Sequence, residues 1–216
     1  MTDLHDLSAA QLLALFASAE LSPLEYYDHL LAHIERWEPS INALYAFDPQ
    51  RVLDQARAST ERWSRGTPRG MLDGIPVTLK ELIATEGDCI PQGSRATTLI
   101  AATADAPPAA RLREAGAIIL GKTTVPDFGM LSSGLSSFHG ITRNPWDTTQ
   151  NPGGSSSGAA AAAAAGYGPL HVGTDIGGSV RLPAGWCGLV GFKPTLGRIP
   201  IDPYYTGRCA GPMTRT

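Results

Sequence analysis

The sequence predicts an α/β fold in which helices surround a mostly buried β-sheet. Helical hydrophobic spacing fills the first third of the chain, and short β-rich runs alternate with helices and loops after it. Of the 216 residues, 43% are hydrophobic and 17% are charged, which argues against a disordered chain. A chain of this length can bury a sizeable core without disulfides or structural metals.

The N-terminal segment, residues 1–66, is predicted to be helical and to pack on the core. Residues 8–11 and 22–25 fit capping boxes that begin the first two helices. Pro39 is expected to end the second helix, because proline lacks the N–H that a helix interior needs. A third helix is predicted over residues 49–63.

The rest of the chain, residues 67–216, is predicted to form one continuous domain. Strands are expected at residues 76–79 and 117–120, where apolar runs are flanked by turn residues. A helix that ends near Gly116 precedes the second strand. Residues 142–152 contain two prolines and no alternation, so they are expected to form a loop.

Composition and charge exclude several classes of protein. The formal net charge is −3, so no basic footprint for nucleic acid exists. Three cysteines without C-x-x-C spacing (Cys89, Cys187 and Cys209) predict neither a disulfide framework nor a zinc site. His139 and His171 lack a second ligand at metal-binding spacing. The acidic N-terminus and the lack of a long apolar run predict a cytoplasmic protein, and we expect no cofactor, no metal and no membrane partner.

A glycine- and serine-rich loop, residues 153–158, leads into seven alanines. Such a loop at a helix N-terminus presents free N–H groups that favour anions. A flexible linker is the alternative, although a linker would not continue into a helix of the buried type. The loop also fits the G-x-S-x-G nucleophile elbow around Ser156, but a proline-rich loop stands where that motif needs a strand. Neither a phosphate-binding P-loop nor an S-x-x-K site is present.

A second glycine-rich loop spans residues 173–183 and contains Ser179 after consecutive glycines. Glycines allow backbone N–H groups to turn inward, and such a nest can stabilise an oxyanion beside a nucleophilic hydroxyl. Asp175 and Arg181 could hold the loop through a charge-assisted hydrogen bond. An ordinary Gly-Gly turn followed by a capping serine is the alternative.

Lys80 ends an apolar, strand-like run, which is unusual for a strongly hydrated ammonium group. Burial would lower the pKa of this lysine, and a neutral amine can accept a proton. The alternative is a lysine at a strand end whose ammonium group reaches water.

These three segments resemble, in order, the motifs of the amidase signature family. They read LDGIPVTLKEL at 72–82, PGGSSSGAAAAAAAG at 152–166 and GTDIGGSVRLPAGWCGLVGFKPTLGRIP at 173–200. The 24-residue separation of Ser155 and Ser179 is also that of the family. Only Ser157 departs, since the family usually has glycine there. The resemblance extends over the whole chain, which corresponds to the N-terminal half of a member, and implies a mixed sheet truncated on its C-terminal side.

The resemblance implies a Ser–cis-Ser–Lys triad. Ser179 would be the nucleophile that forms the acyl-enzyme, and Ser155, after a cis peptide bond, would bridge it to Lys80. The oxyanion hole would consist of the N–H groups of Ile176, Gly177, Gly178 and Ser179. Supporting roles fall to Ser132, Ser133, Ser156, Asp175 and Arg181.

The implied activity is hydrolysis of a linear amide C–N bond in a small molecule, with release of a carboxylic acid and ammonia or an amine. A homodimer is compatible with this expectation. One alternative is the glutaminase-type component of a tRNA-dependent amidotransferase, which would bring a nucleic-acid partner. Residues 131–137 and 199–209 depart from that component and favour a free-standing amidase. A further alternative is an inactive, truncated relative that serves as a binding module.

Overall fold

The computed structural model describes residues 3–216, which fold into six α-helices and eight strands. The helices are α1 (Ala9–Ser18), α2 (Pro23–Ile41), α3 (Pro49–Ser64), α4 (Pro107–Glu114), α5 (Ser157–Ala164) and α6 (Arg181–Trp186). The strands are β1 (Leu44–Tyr45), β2 (Pro76–Lys80), β3 (Ile118–Thr123), β4 (Leu135–Ser136), β5 (Gly140–Ile141), β6 (Leu170–Asp175), β7 (Val190–Gly191) and β8 (Cys209–Thr214). Short 3₁₀ turns lie at Leu4–Asp6 and Asp127–Gly129.

Six of the strands form one mixed sheet in the order β1-β3-β2-β6-β8-β7. Strand β2 pairs in parallel with both β3 and β6, whereas β1, β7 and β8 pair antiparallel with their neighbours. The predicted α/β class and mixed sheet are confirmed. Because β2 and β6 are parallel, their last residues, Lys80 and Asp175, lie at the same edge of the sheet.

Both predicted capping boxes are present. Ser8 and Gln11 exchange side-chain and backbone hydrogen bonds at the start of α1. Ser22 and Glu25 do the same at the start of α2, where the Ser22 N–H donates to the Glu25 carboxylate at 2.8 Å. These bonds satisfy N–H groups that the first turn of a helix leaves without partners.

The prediction that Pro39 ends α2 is wrong, because the helix continues to Ile41. Pro39 lies in the last turn, where its missing N–H costs only one hydrogen bond. The helix ends instead at Asn42, whose left-handed backbone (φ 56°) lets its N–H donate to the Glu38 carbonyl at 2.8 Å.

The strand predictions were incomplete. Residues 76–79 and 117–120 correspond to β2 and β3, but β3 extends to Thr123 and contains Lys122. Strands β6 and β8 were not predicted. Strand β8 includes Gly211 and Pro212, which are usually kept out of strand interiors, yet it pairs with β6 on one side and β7 on the other.

The alanine-rich helix α5 is buried and lies between two apolar clusters. Ala161 and Ala162 contact a cluster that includes residues of α1, α2 and β3, while Ala159 and Ala160 contact a second one around Val180. Gly158 has no room for a side chain, since a Cβ atom there would lie 2.4 Å from the Thr124 nitrogen. The small side chains therefore fix the N-terminus of α5 tightly beside the sheet.

Within residues 3–216, we find no helix that combines the length and the apolar character needed to cross a membrane.

A buried carboxylate connects α3 to the segment that enters β2. Asp73 has no exposed surface, and Arg62 donates to it through Nε at 2.8 Å and Nη2 at 2.6 Å. Ser59 Oγ and the Arg69 N–H donate to the same carboxylate at 2.8 and 2.7 Å. Burial opposes ionisation, but these hydrogen bonds outweigh it and lower the pKa of Asp73.

We expect Asp73→Asn to reduce the free energy of unfolding by about 3 kcal/mol, because Arg62 would remain without its anionic partner. Urea unfolding monitored by circular dichroism measures the loss. The control is Asp54→Asn, which removes a carboxylate from an exposed ion pair of similar length, 2.7 Å to Arg57. It should leave the free energy of unfolding nearly unchanged. Equal losses in the two variants would contradict this account of Asp73.

Candidate active site

A cavity of about 690 Å³ lies at the sheet edge where β2 and β6 end. Its walls include Ser155 from the loop before α5, Thr174 from β6, and Gly177 and Ser179 from the glycine-rich loop that follows. Arg208, directly before β8, completes one side. Leu82 also lines the cavity, which therefore brings together all three motif segments, and Lys80 contacts its wall through Ser155.

Lys80 has no exposed surface, and within residues 3–216 its side-chain nitrogen has only uncharged hydrogen-bond partners. The Nζ atom donates to Ser155 Oγ at 2.9 Å and to the Thr174 carbonyl at 3.4 Å. No carboxylate of residues 3–216 lies within ion-pair distance of it. Burial lowers the pKa of Lys80 to about 7, the positive charge of Arg208 adds to this effect, and two nearby carboxylates oppose it.

The peptide bond between Gly154 and Ser155 is cis. Gly154 fits against the backbone of residues 131–133, where a Cβ atom would lie 2.7 Å from the Ser133 nitrogen. The expected supporting serines differ in position: Ser132 lines the cavity, whereas Ser133 Oγ accepts a hydrogen bond from the Leu135 N–H at 3.4 Å.

Ser156 is fully buried and holds two loops together. Its hydroxyl donates to the Thr174 carbonyl at 3.2 Å and accepts from the Thr174 N–H at 3.3 Å. Its own N–H donates to the Ser179 carbonyl at 3.1 Å. The nucleophile elbow around Ser156 does not fit this geometry, since its hydroxyl is enclosed and no strand directly precedes it.

Ser179 lines the cavity, and its hydroxyl makes no hydrogen bond to any other residue of the described chain. The bridge from Ser155 to Ser179 is therefore not closed by a hydrogen bond. Among the expected oxyanion donors, the Gly178 N–H is engaged, since it donates to Asp175 Oδ1 at 2.8 Å. The N–H groups of Ile176, Gly177 and Ser179 have no acceptor within residues 3–216 and are free to bind a developing oxyanion.

Asp175 organises the glycine-rich loop. Arg181 donates to this buried carboxylate through Nε at 3.0 Å and Nη2 at 2.9 Å, and the Val180 N–H donates at 3.1 Å. Burial would raise the pKa of Asp175, but the hydrogen bonds from Arg181 and from three backbone N–H groups lower it to about 2. The carboxylate therefore stays ionised and holds the loop around Ser179 near neutral pH.

Another buried carboxylate, Glu81, follows Lys80 in the chain and holds the loops around the cavity. It accepts hydrogen bonds from the Gly93 N–H at 3.0 Å and from the His139 ring. Sequence reasoning missed this role of Glu81.

The other histidine considered as a metal ligand, His171, is also engaged, since its ring contacts Thr78 Oγ1 at 2.8 Å and the Gly168 carbonyl at 2.9 Å.

Thr174 and Arg208 also line the cavity, and the sequence did not single them out. Thr174 acts through its main chain, because its carbonyl accepts from both Lys80 and Ser156, and a backbone acceptor leaves no residue-type signal. Arg208 carries a usable signal, since it is a charged residue within a segment that departs from one branch of the family. It lies in residues 204–208, which have no regular secondary structure that sequence patterns could predict.

Lys122, another of the three lysines of the sequence, lies in β3 and is fully buried. Its Nζ atom donates to the Ile83 carbonyl and, at 3.1 Å, to Thr85 Oγ1. Burial lowers the pKa of Lys122 to about 8. It ties the segment after β2 to β3 and does not line the cavity.

The sequence matches the Amidase family over residues 25–216, and the chain belongs to this family. It is 40% identical over 218 residues to acylamidase of Rhodococcus erythropolis, covering 99% of this chain and 46% of the relative. It is 43% identical over 199 residues to one of the subunits of glutamyl-tRNA(Gln) amidotransferase of Chloroflexus aurantiacus, covering 92% of this chain and 41% of that protein.

Solved structures agree with these matches. A bacterial aryl acylamidase of the amidase signature enzymes superposes with a TM-score of 0.92 at 34% identity. The match covers all of this chain and 46% of that protein. The chain therefore spans less than half the length of the relatives it matches, and the similarity to the N-terminal half of a family member is confirmed.

The three lysines of the chain make the state of Lys80 directly measurable. Selective isotope labelling of lysine should give three side-chain signals by NMR. We expect one signal to titrate near pH 7 and to vanish in Lys80→Met, because burial disfavours the ammonium form. A second signal should titrate near pH 8 and vanish in Lys122→Met. If the Lys80 signal titrated above pH 10, the neutral-lysine account of the site would be wrong.

Proposed function

We propose that this protein hydrolyses an amide C–N bond through an acyl-enzyme on Ser179. The observation that carries the proposal is the contact of 2.9 Å between the buried Lys80 Nζ and Ser155 Oγ, beneath a cavity that Ser179 also lines. A lysine with a pKa of about 7 is largely neutral at slightly alkaline pH and can serve as a general base.

In the first step, Lys80 draws a proton from the Ser155 hydroxyl, and Ser155 in turn receives the Ser179 proton. Ser179 Oγ forms a bond to the amide carbon while its proton passes along this relay. The carbonyl oxygen becomes an oxyanion, which the free N–H groups of Ile176, Gly177 and Ser179 stabilise.

In the second step, the relay returns the proton to the amide nitrogen as the C–N bond breaks, so that ammonia or an amine departs. A water molecule then gives its proton to the same relay and attacks the acyl carbon. The ester bond to Ser179 breaks, the hydroxyl of Ser179 recovers its proton, and a carboxylic acid leaves. Both halves of the reaction therefore use the same three side chains.

The similarities support amide chemistry and favour two candidate functions. The acylamidase and aryl acylamidase relatives favour a free-standing amidase. The identity of 43% to a component of glutamyl-tRNA(Gln) amidotransferase favours a glutaminase that acts with partner proteins. Amide hydrolysis by the protein purified with and without candidate partners separates the two candidates, because only the second requires a partner and tRNA for full activity.

We expect Ser179→Ala and Lys80→Ala each to lower kcat for amide hydrolysis by at least about 1,000-fold, since removal of one member of a catalytic unit costs nearly as much as removal of all. Ammonia or amine release from a panel of amides measures the rate. The control is Ser64→Ala, which truncates an exposed serine at the end of α3. Near-normal turnover by Lys80→Ala would refute the assigned role of the lysine.

The rate should depend on pH through Lys80. Below a pKa of about 7 the lysine is protonated and cannot accept a proton, so kcat/KM should fall about tenfold for each pH unit below that value. Asp175, with a pKa of about 2, stays ionised and should add no limb in this range. A pH-rate profile between pH 5 and 9 tests this, and a flat profile would contradict it.

A further inference from the structure

Arg208 is a half-buried cation that has no anionic partner within residues 3–216. Its side chain lines the cavity, and its guanidinium carbon lies 4.5 Å from the centroid of the Tyr205 ring. No carboxylate of residues 3–216 forms an ion pair with it, and its guanidinium donates no hydrogen bond to any of those residues. By contrast, Arg181 near the same loop is paired with Asp175 at 2.9 Å.

The charge at the cavity wall indicates that Arg208 faces a negatively charged ligand. Among the described side chains that line the cavity, Arg208 is the only charged one, and the others are apolar or neutral polar groups. Burial of an unpaired guanidinium is unfavourable, and its planar set of donors matches the two oxygens of a carboxylate. The cation–π contact with the Tyr205 ring favours this position of the guanidinium at the cavity wall.

Because the proposed reaction takes place in the same cavity, the ligand that Arg208 faces is a substrate of that reaction. We propose that Arg208 binds a carboxylate group of the substrate, so that the preferred substrates are amides that carry a carboxylate elsewhere in the molecule. A carboxylate carries one negative charge and balances one guanidinium. A phosphate dianion would need a second cation, and Lys80, which lies behind Ser155 at the cavity wall, is enclosed and engaged by Ser155 and Thr174. The inference rests on the proposed function, since it names the substrate class of the same site.

Binding to the Ser179→Ala protein tests the inference without relying on turnover. Succinamate and butyramide are matched probes, because both are four-carbon amides and differ by a carboxylate in place of a methyl group. Isothermal titration calorimetry should show that succinamate binds about 10- to 100-fold more tightly than butyramide, which is the range of a charge-assisted hydrogen bond. Arg208→Met in the same protein should abolish the difference, and Arg208→Lys should retain part of it.

The matched control is Arg198→Met, which removes an exposed arginine that does not line the cavity and should leave the preference intact. Equal affinities for the two probes, no binding of either, or a preference that survives Arg208→Met would overturn the inference. The outcomes of this binding experiment are distinguishable from the outcomes that test the proposed function. Hydrolysis of neutral amides that depends on Ser179 would stand even if the anion preference failed, and binding to Arg208 without any hydrolysis would refute only the proposed reaction.

Discussion

A buried lysine that has no carboxylate partner among the described residues is the constraint on which the rest of the site depends. Moving an ammonium group out of water costs several kcal/mol even after relaxation of its surroundings. In the part of the chain that the structure describes, Lys80 Nζ donates only to Ser155 Oγ and the Thr174 carbonyl, so burial favours its neutral form and gives a pKa of about 7. The position of β2 between two parallel partners holds the lysine at the sheet edge, and the close packing of α5 holds Ser155 against it.

The groups assigned to chemistry and those proposed to select the substrate come from different kinds of structure. Lys80 and Asp175 end strands of the central sheet, and Ser155 directly precedes the loop-to-helix turn of α5. Arg208 and Tyr205 lie in an irregular segment before β8. A rigid sheet edge suits groups that must keep fixed distances, whereas an irregular segment can change its side chains without disturbing the core. This separation fits a family whose members include both an acylamidase and a subunit of glutamyl-tRNA(Gln) amidotransferase.

Residue patterns predicted those parts of the molecule that local chemistry determines. The capping boxes at Ser8 and Ser22, the alanine helix and the unusual position of Lys80 all follow from residue type and spacing. Strand β8 was missed, because long-range pairing on both sides overrides its glycine and proline. The engagement of the Gly178 N–H by Asp175 and the position of the Arg208 charge at the cavity depend on tertiary contacts, which a single sequence does not reveal. The boundary between the helical segment and the core at residue 66 and the catalytic roles themselves stay predictions.

The central claim is that Lys80 activates Ser179 through Ser155. A crystal structure of the protein after reaction with a fluorophosphonate tests it most directly, because the adduct reports which oxygen is nucleophilic and which donors bind the oxyanion. The account predicts a covalent bond on Ser179 Oγ, with Ser155 Oγ within hydrogen-bond distance of both Lys80 Nζ and the modified oxygen. It also predicts the phosphonyl oxygen beside the free N–H groups that follow Asp175. An adduct on Ser155 or Ser156, or one on Ser179 with Lys80 turned away from Ser155, would contradict it.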